Sequence, residues 1–251
     1  MKATLFYMAR RRFFVDEIRG GRAEIEGEDA HHLTRVLRVE AGQKYEISDN
    51  RAVYLAEVET ARKDRVSFAV IERMAVGEPL VHTTLFAALI KFERFEWLIE
   101  KATELGVESI VPVIAERSEK GLEIAAGKRV ERWRRIAREA SEQSRRATLP
   151  AIAAPVRFAD VPRGDAGMKI VLDEEGSRPL MTALGSSAGS VAILLGPEGG
   201  WTERERSGWE DAGWIAVSLG PTILRAETAG VAALAVVNAH ALAERSNNSA
   251  L

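Results

Sequence analysis

The sequence contains no cysteine and only four histidines among its 251 residues. The absence of cysteine excludes disulfide bonds, thiolate nucleophiles and cysteine-ligated zinc. With so few histidines, we expect no structural metal site either. Any enzyme built on this chain therefore works without a covalent thiolate route.

The chain also lacks a strong charge imbalance. It has 35 Lys and Arg against 37 Asp and Glu, a formal net charge of −2. This excludes a uniformly basic nucleic-acid-binding protein but not a local basic patch, because net charge reports a sum and not a distribution. The N-terminus does not have the pattern of a signal peptide, and no uninterrupted apolar run approaches the ~18 residues of a membrane span. We expect a cytoplasmic protein that does not enter the membrane.

The first 75 residues are predicted to form a small β-barrel. Gly, Asp and Asn separate short runs rich in β-branched and aromatic residues. One helix is predicted over Asp29–Val39, with Asp29 as its N-cap. The predicted strands are Phe13–Val15, Lys44–Ile47, Val53–Val58 and Val66–Val70.

Residues 76–245 are predicted to form an α/β domain with a mostly parallel sheet, because strands alternate with helices there. The polar residues 246–251 are predicted to be a disordered tail. The predicted strands are Thr83–Ile90, Ile110–Ile114, Lys169–Leu172 and Val191–Leu195, and the predicted helices are Glu93–Leu105, Arg129–Arg146 and Val231–Ala243.

Two strand–turn–helix segments near the C-terminus are candidates for a small-molecule site. In the first, a buried strand enters the glycine-rich turn of residues 196–200, and Thr202 and Glu205 have capping-box spacing. In the second, an apolar strand precedes Gly220-Pro221 and a polar turn that opens a helix. Glycines let a backbone approach a ligand closely, at the strand ends where open α/β sheets bind ligands. The alternatives are a turn without a ligand, a capping Thr228 and a surface Arg225.

These segments, LLGPEGGW and LGPTILRAETAG, resemble the SPOUT class of RNA methyltransferases. More narrowly, the chain is similar to the family that methylates N3 of a uridine in small-subunit ribosomal RNA. RRFFVDE, HHLTRVLR, FEWLIEKATELGVESIVPVIAERS and RWRRIAREASEQSRR extend the resemblance over nearly the whole chain. Phe92 stands where this family usually has glycine.

The resemblance implies a trefoil-knotted SPOUT domain at the C-terminus, a PUA-like barrel at the N-terminus and a homodimer. It also implies that S-adenosylmethionine binds to the two loops and that the partner is small-subunit ribosomal RNA or the assembled subunit. The donor-binding residues it predicts are Leu172, Leu195, Gly196, Pro197, Glu198, Gly199, Gly200, Leu219, Gly220, Ile223, Leu224, Arg225, Thr228 and Ala229.

The chemistry needs a cation and a proton acceptor, because the N3 position of uridine carries a proton. The acceptor is a carboxylate or a water; we assign the cation to Arg225 and name Glu198 and Glu227 as candidate bases. The alternative is structural: Arg225 pairs with one of these carboxylates and holds the loop.

Basic clusters near the N-terminus and on the long helix are candidates for contacts with RNA phosphates and bases. The alternatives are a solvated helix face or a dimer contact for the arginines, and capping or packing for the histidines. The candidates are Arg10, Arg11, Arg12, His31, His32, Arg35, Arg38, Arg138, Gln143, Arg145 and Arg146.

Two other functions remain open from the residues alone. A methyltransferase acting on another RNA, such as transfer RNA, would carry the same donor motifs. A non-catalytic RNA-binding factor in ribosome assembly could retain the pocket without turnover.

Overall fold

The computed structural model describes residues 11–161, 167–175, 178–185 and 189–248. Arg10, one of the predicted RNA contacts, lies outside these residues. The chain divides into two compact units. The first contains residues 1–78 and 138–149, and the second contains residues 79–137 and 150–251. The segment 138–149, which the sequence assigns to the α/β domain, therefore belongs with the N-terminal residues.

The described residues of the first unit form a five-stranded sheet, one complete helix and the C-terminal end of a second helix. Strand β1 pairs in parallel with β3, and the other neighbours pair antiparallel in the order β1-β3-β4-β5-β2. Alternate residues point into a core that contains Phe13, Ile47 and Phe68. The elements are β1 (Arg12–Phe14), β2 (Arg22–Glu26), α1 (Gly27–Arg35), β3 (Lys44–Ser48), β4 (Val53–Arg62) and β5 (Arg65–Met74).

Helix α1 is shorter than predicted. It starts at Gly27, with Glu26 in the N-cap position, so the prediction of Asp29 as N-cap is wrong. The helix ends at Arg35, and Arg38 has a left-handed φ of 54° that no helix can continue through.

The second unit is built on an eight-stranded sheet. All of its described pairings are parallel, in the order β11-β13-β10-β12-β6-β7-β8 with β9 also paired to β7. This confirms the predicted α/β class. The elements are β6 (His82–Ala88), α2 (Phe92–Glu104), β7 (Ser109–Ile114), α3 (Leu122–Ala126), α4 (Val130–Gln143), β8 (Ala151–Ile152), β9 (Val156–Arg157), β10 (Met168–Leu172), β11 (Arg178–Pro179), α5 (Leu180–Ala183), β12 (Ser190–Leu195), α6 (Glu203–Asp211), β13 (Ile215–Ser218) and α7 (Ala226–Asn248).

Helix α7 is longer than predicted at both ends. It starts at Ala226 instead of residue 231 and continues to Asn248, so residues 246–248 are helical and not a disordered tail. Its many alanines favour a helix in every turn, whereas the apolar pattern marked only the central part. By length and composition alone, residues 226–247 could cross a membrane, a test that core helices of soluble proteins also pass.

Phe92 is the first residue of α2 and packs on Trp133, with ring centroids 6.1 Å apart. The Arg129 guanidinium lies 4.2 Å from the centroid of the Phe92 ring. The aromatic side chain thus occupies a defined position between neighbours, and the helix begins regularly where the related family has glycine.

Candidate functional site

A cavity of about 380 Å³ opens at the carboxyl ends of β10, β12 and β13, which are neighbours in the sheet. Parallel strands commonly place ligands at this edge. Apolar side chains at the strand ends form part of its wall, and the loops that follow β12 and β13 supply most of the rest. These wall side chains are Leu172, Leu195, Val217 and Leu219.

The structure brings the two predicted segments together. All of the predicted donor-binding residues line this cavity except Gly199 and Thr228. Sequence reasoning missed several lining residues, although two of them directly follow the buried strand β10 and could have been found by that position. The missed residues are Arg94, Asp173, Glu174, Trp201, Arg206, Val217, Ser218, Thr222 and Ala226.

The first loop is shaped by protein packing on its glycines. A Cβ on Gly196 would lie 2.9 Å from Nε1 of Trp201, whose indole is buried. A Cβ on Gly199 would lie 3.1 Å from Cβ of Arg117. These two glycines therefore leave room for protein side chains, whereas the sequence interpretation gave that role to the ligand.

The predicted capping box at the end of this loop is confirmed. The Thr202 hydroxyl accepts a hydrogen bond from the Glu205 amide, and the Glu205 carboxylate accepts one from the Thr202 amide. The start of α6 is thereby fixed directly after the loop.

The second loop is exposed throughout residues 220–225. Gly220 has a φ of 144°, a conformation that favours glycine. Ile223 is 83% exposed and lines the cavity, and Leu224 beside it is 36% exposed. Thr228 lies inside α7 and is exposed, so its predicted roles as a cap and as a donor contact are both corrected.

Arg94 on α2 connects the first loop of the cavity to the start of α7. Its guanidinium forms an ion pair with Glu198, and its Nε lies 3.7 Å from Oε1 of Glu227. Oε2 of Glu227 is buried and has no hydrogen-bond partner within the described residues. The sequence left open whether Arg225 pairs with these carboxylates, and it is Arg94 that does so.

Arg225 is exposed and lines the cavity. Within the part of the chain that the structure describes, its guanidinium has no hydrogen bond or ion pair. A cation with this freedom can bind an anionic or carbonyl oxygen that enters the cavity.

Asp173 and Arg206 form a second, more buried ion pair on the cavity wall. Nη1 and Nη2 of Arg206 both donate to the carboxylate of Asp173, whose side chain is 4% exposed. Oδ1 of Asp173 also accepts from the Glu175 amide at 3.2 Å. This pair holds α6 against the end of β10. Glu174, the next residue after Asp173, is exposed and is another carboxylate that lines the cavity.

Two of the predicted RNA contacts, Arg12 and Arg145, form ion pairs within the first unit. Both form ion pairs with Glu46, which is 1% exposed. Arg12 also donates to the carbonyl of Arg145 at 2.6 Å, and Ser48 donates to the carbonyl of Ala147 at 2.7 Å. Arg12 and Arg145 therefore hold segment 138–149 on the sheet, and Arg12 is too buried to reach RNA, whereas an RNA contact by the partly exposed Arg145 stays a prediction.

Arg138 is likewise engaged. Its guanidinium donates to the carbonyl of Phe14 and lies within 3.7 Å of carboxylate oxygens of Asp29 and Glu142. Burial raises the pKa of Glu142 to about 7, against the opposing effects of Arg138 and the Phe14 amide. Arg138 thus has a structural role in the first unit, and its contact with RNA stays a prediction.

The other basic candidates of the first unit are more accessible. Two of them, His31 and Arg146, are half-buried. The exposed candidates are Arg11, His32, Arg35, Arg38 and Gln143. Nε of Arg146 donates to the carbonyl of Thr148. On the part of α4 that belongs to the second unit, Arg132 is paired with Glu96, as is Arg129 just before the helix.

Within the described ranges, no cluster of three or more His, Asp or Glu side chains could hold a metal ion.

Comparison with known proteins identifies the two halves of the chain. A family model described as an RNA methyltransferase domain matches residues 77–238, and one described as an RNA methyltransferase PUA domain matches residues 25–71. These matches confirm the predicted pairing of a PUA domain with a methyltransferase domain, whereas the trefoil knot stays a prediction.

Curated relatives match over most of their length. Ribosomal RNA small subunit methyltransferase E from Aquifex aeolicus is 33% identical over 229 residues, covering 90% of this chain and 97% of the relative. The protein of that name from Bacillus subtilis is 34% identical over 226 residues, covering 85% and 88%.

Solved structures also match over most of this chain. Ribosomal RNA small subunit methyltransferase E from Neisseria gonorrhoeae, bound to S-adenosyl methionine, has a TM-score of 0.84 at 28% identity and covers 92% of this chain and 97% of that one. A methyltransferase from Legionella pneumophila in complex with the same cofactor has a TM-score of 0.85 at 28% identity, covering 92% and 98%. Because the methyltransferase model spans more than half of the chain and the Aquifex relative matches almost end to end, the chain belongs to the RNA methyltransferase family that includes ribosomal RNA small subunit methyltransferase E.

Proposed function

We propose that this protein transfers the methyl group of S-adenosylmethionine to N3 of a uridine in small-subunit ribosomal RNA. The observation that carries the proposal is the cavity at the ends of β10, β12 and β13, lined by the two segments that the sequence marks as a donor site. Relatives with this fold were crystallised with the donor bound.

The cavity fits such a donor in its chemistry. Leu172, Leu195 and Val217 offer apolar surface to the adenine and the methionine chain, and carboxylates at the cavity can balance a sulfonium. When bound, the donor supplies a methyl group already activated by its positive sulfur. What remains for the protein is to align the uracil and to stabilise the charge that develops on it.

Arg225 is our choice for stabilising that charge, because its guanidinium is unpaired within the described residues and lies at the cavity. Glu198 is our choice for the proton acceptor. It lines the cavity and its side chain is 41% exposed, whereas the side chain of Glu227 is 11% exposed and does not line it. A base must reach the proton it removes, so Glu227 serves instead to position Arg94.

We also propose that RNA binds to exposed basic groups of the first unit, Arg11, His32, Arg35 and Arg38. Neutralising phosphates would make binding salt-dependent.

A homodimer is proposed from the exposed apolar side chains Met181 and Leu242 on α5 and α7, which are 56% and 55% exposed. The protein would act in the cytoplasm, on naked RNA or on the assembled small subunit.

The test uses purified protein, labelled S-adenosylmethionine and small subunits from cells that lack this methylation. Nuclease digestion and mass spectrometry then locate the label. A single N3-methyluridine in the small-subunit RNA supports the proposal. Label only in transfer RNA would reassign the target, and donor binding without transfer to any RNA would favour a non-catalytic factor.

Replacing Glu198 and Glu227 separately distinguishes their roles. Glu198→Gln should lower kcat by at least about tenfold with little change in thermal stability. Glu227→Gln should leave kcat closer to that of the wild type. The reverse ranking of the two kcat values would assign the proton acceptor to Glu227.

A further inference from the structure

Arg117, three residues beyond the end of β7, holds the first loop of the cavity from behind. Its Nη1 donates to the carbonyl of Gly199 at 3.1 Å and to the carbonyl of Trp201 at 3.2 Å. Arg117 itself does not line the cavity. One guanidinium nitrogen thus fixes two carbonyls of the loop that forms the cavity wall.

The contact is also steric. Gly199 lies so close to Arg117 that an added Cβ would be 3.1 Å from Cβ and 3.3 Å from the carbonyl oxygen of Arg117. Gly199 does not line the cavity, so its lack of a side chain is explained by Arg117 and not by a ligand. The two residues form one close-packed contact.

The residue before Arg117 reinforces this attachment. The Glu116 amide donates to Oε1 of Glu205 at 2.8 Å, and the Thr202 hydroxyl lies 3.2 Å from Oε2 of Glu116. Glu205 and Thr202 are the two residues of the capping box that ends the loop. Segment 115–117 therefore holds both the turn and the helix start that follows it.

We infer that Arg117 is a positioning residue for the methyl-donor site: it fixes the loop of residues 196–201 in the conformation that binds the donor. The inference rests on the proposed function, because it takes that loop to be part of the donor site. Arg117 lies outside the cavity, so it acts only through the loop carbonyls it binds.

The Arg117 side chain can be removed without unfolding the protein, because it is exposed. Arg117 is exposed, so Arg117→Ala removes the two hydrogen bonds without opening the core. We expect its Kd for S-adenosylmethionine to rise about tenfold, since about 1.4 kcal/mol corresponds to that factor. The KM for the donor should rise in parallel, with kcat at saturating donor within about threefold of the wild type.

Three further variants sharpen the experiment. Gly199→Ala should raise the donor Kd in the same direction, because its Cβ forces the loop away from Arg117. Arg157→Ala removes an exposed arginine from β9, which pairs with the end of β7, and should leave the donor Kd unchanged. Arg117→Lys keeps the charge but offers a point donor in place of the guanidinium, so it should restore only part of the affinity.

Isothermal titration with S-adenosylmethionine and thermal unfolding without it should be measured for all four variants and the wild type. A raised Kd in Arg117→Ala and Gly199→Ala, with Arg117→Ala melting within about 2 °C of Arg157→Ala, supports the inference. A wild-type Kd in Arg117→Ala overturns it while the proposed function stands. Absence of donor binding by the wild type would instead contradict the proposed function.

Discussion

Gly196→Ala tests whether packing on Trp201 sets the shape of the loop of residues 196–201, the proposed donor loop. The added Cβ would lie 2.9 Å from Nε1 and 3.0 Å from Cε2 of the indole, where contacts of about 3.5–4.0 Å are comfortable. Trp201 is 4% exposed and its ring packs 5.4 Å from that of Phe158, so it cannot rotate away freely. Gly196 does not have a positive φ, and the strain is therefore purely steric.

Overpacking of this kind costs about 1–3 kcal/mol. For a protein of this size we expect the melting temperature to fall by about 2–12 °C. The donor Kd should rise as well, because the loop moves to relieve the contact. Gly127→Ala is the matched control: it lies in the same unit, has no neighbour within 4 Å of the added Cβ, and should melt like the wild type or slightly higher.

Trp201→Phe in the Gly196→Ala background should recover part of the loss, because the smaller ring gives up Nε1, which has no hydrogen-bond partner within the described residues. Calorimetry and donor titration of the two single variants and the double variant give the coupling energy, expected at about 0.5–3 kcal/mol. Unchanged melting and unchanged donor affinity in Gly196→Ala would refute the reasoning.

Three other predictions concern charge. Arg225→Ala should lower kcat by about 100-fold while the donor Kd, measured by titration, stays within about threefold; equal losses in both would make Arg225 part of the donor pocket. Glu46→Gln leaves two guanidiniums without their buried partner and should cost about 3–5 kcal/mol in urea unfolding, whereas Glu57→Gln, at a side chain that is 46% exposed, should cost under about 1 kcal/mol. For Glu142 the folded pKa is raised from 4.5 to about 7, so the native state holds the proton more tightly. The protonated Glu142 carboxyl therefore contributes to the free energy of unfolding. This contribution is complete below pH 4.5 and is lost as pH rises through about 7, roughly 1–3 kcal/mol in total. Glu142→Gln should flatten this pH dependence of unfolding, and an unchanged slope would contradict the assignment.

The local structure of the proposed donor loops could be predicted from the sequence because the information for it is local. A buried strand, a glycine turn and a capping box all lie within residues 190–205, and the structure has each of them. The same holds for β10 and for the start of the second loop.

The partners of the charged residues could not be predicted. Glu46 is 99 residues from Arg145, and Arg94 is 104 residues from Glu198. Runs of arginines therefore predict basic surfaces, even where a buried carboxylate distant in the sequence pairs with one arginine from each of two runs. For the same reason the sequence does not show that segment 138–149 makes its contacts with the first unit, although the family model for the methyltransferase domain includes it.

A crystal structure of the protein with S-adenosylmethionine tests the central claim most directly. We predict that the donor occupies the cavity between residues 195–200 and 219–224, with its methyl group facing the side of Arg225. Donor bound elsewhere, or a cavity that stays empty at a donor concentration that saturates the protein in solution, would contradict the account.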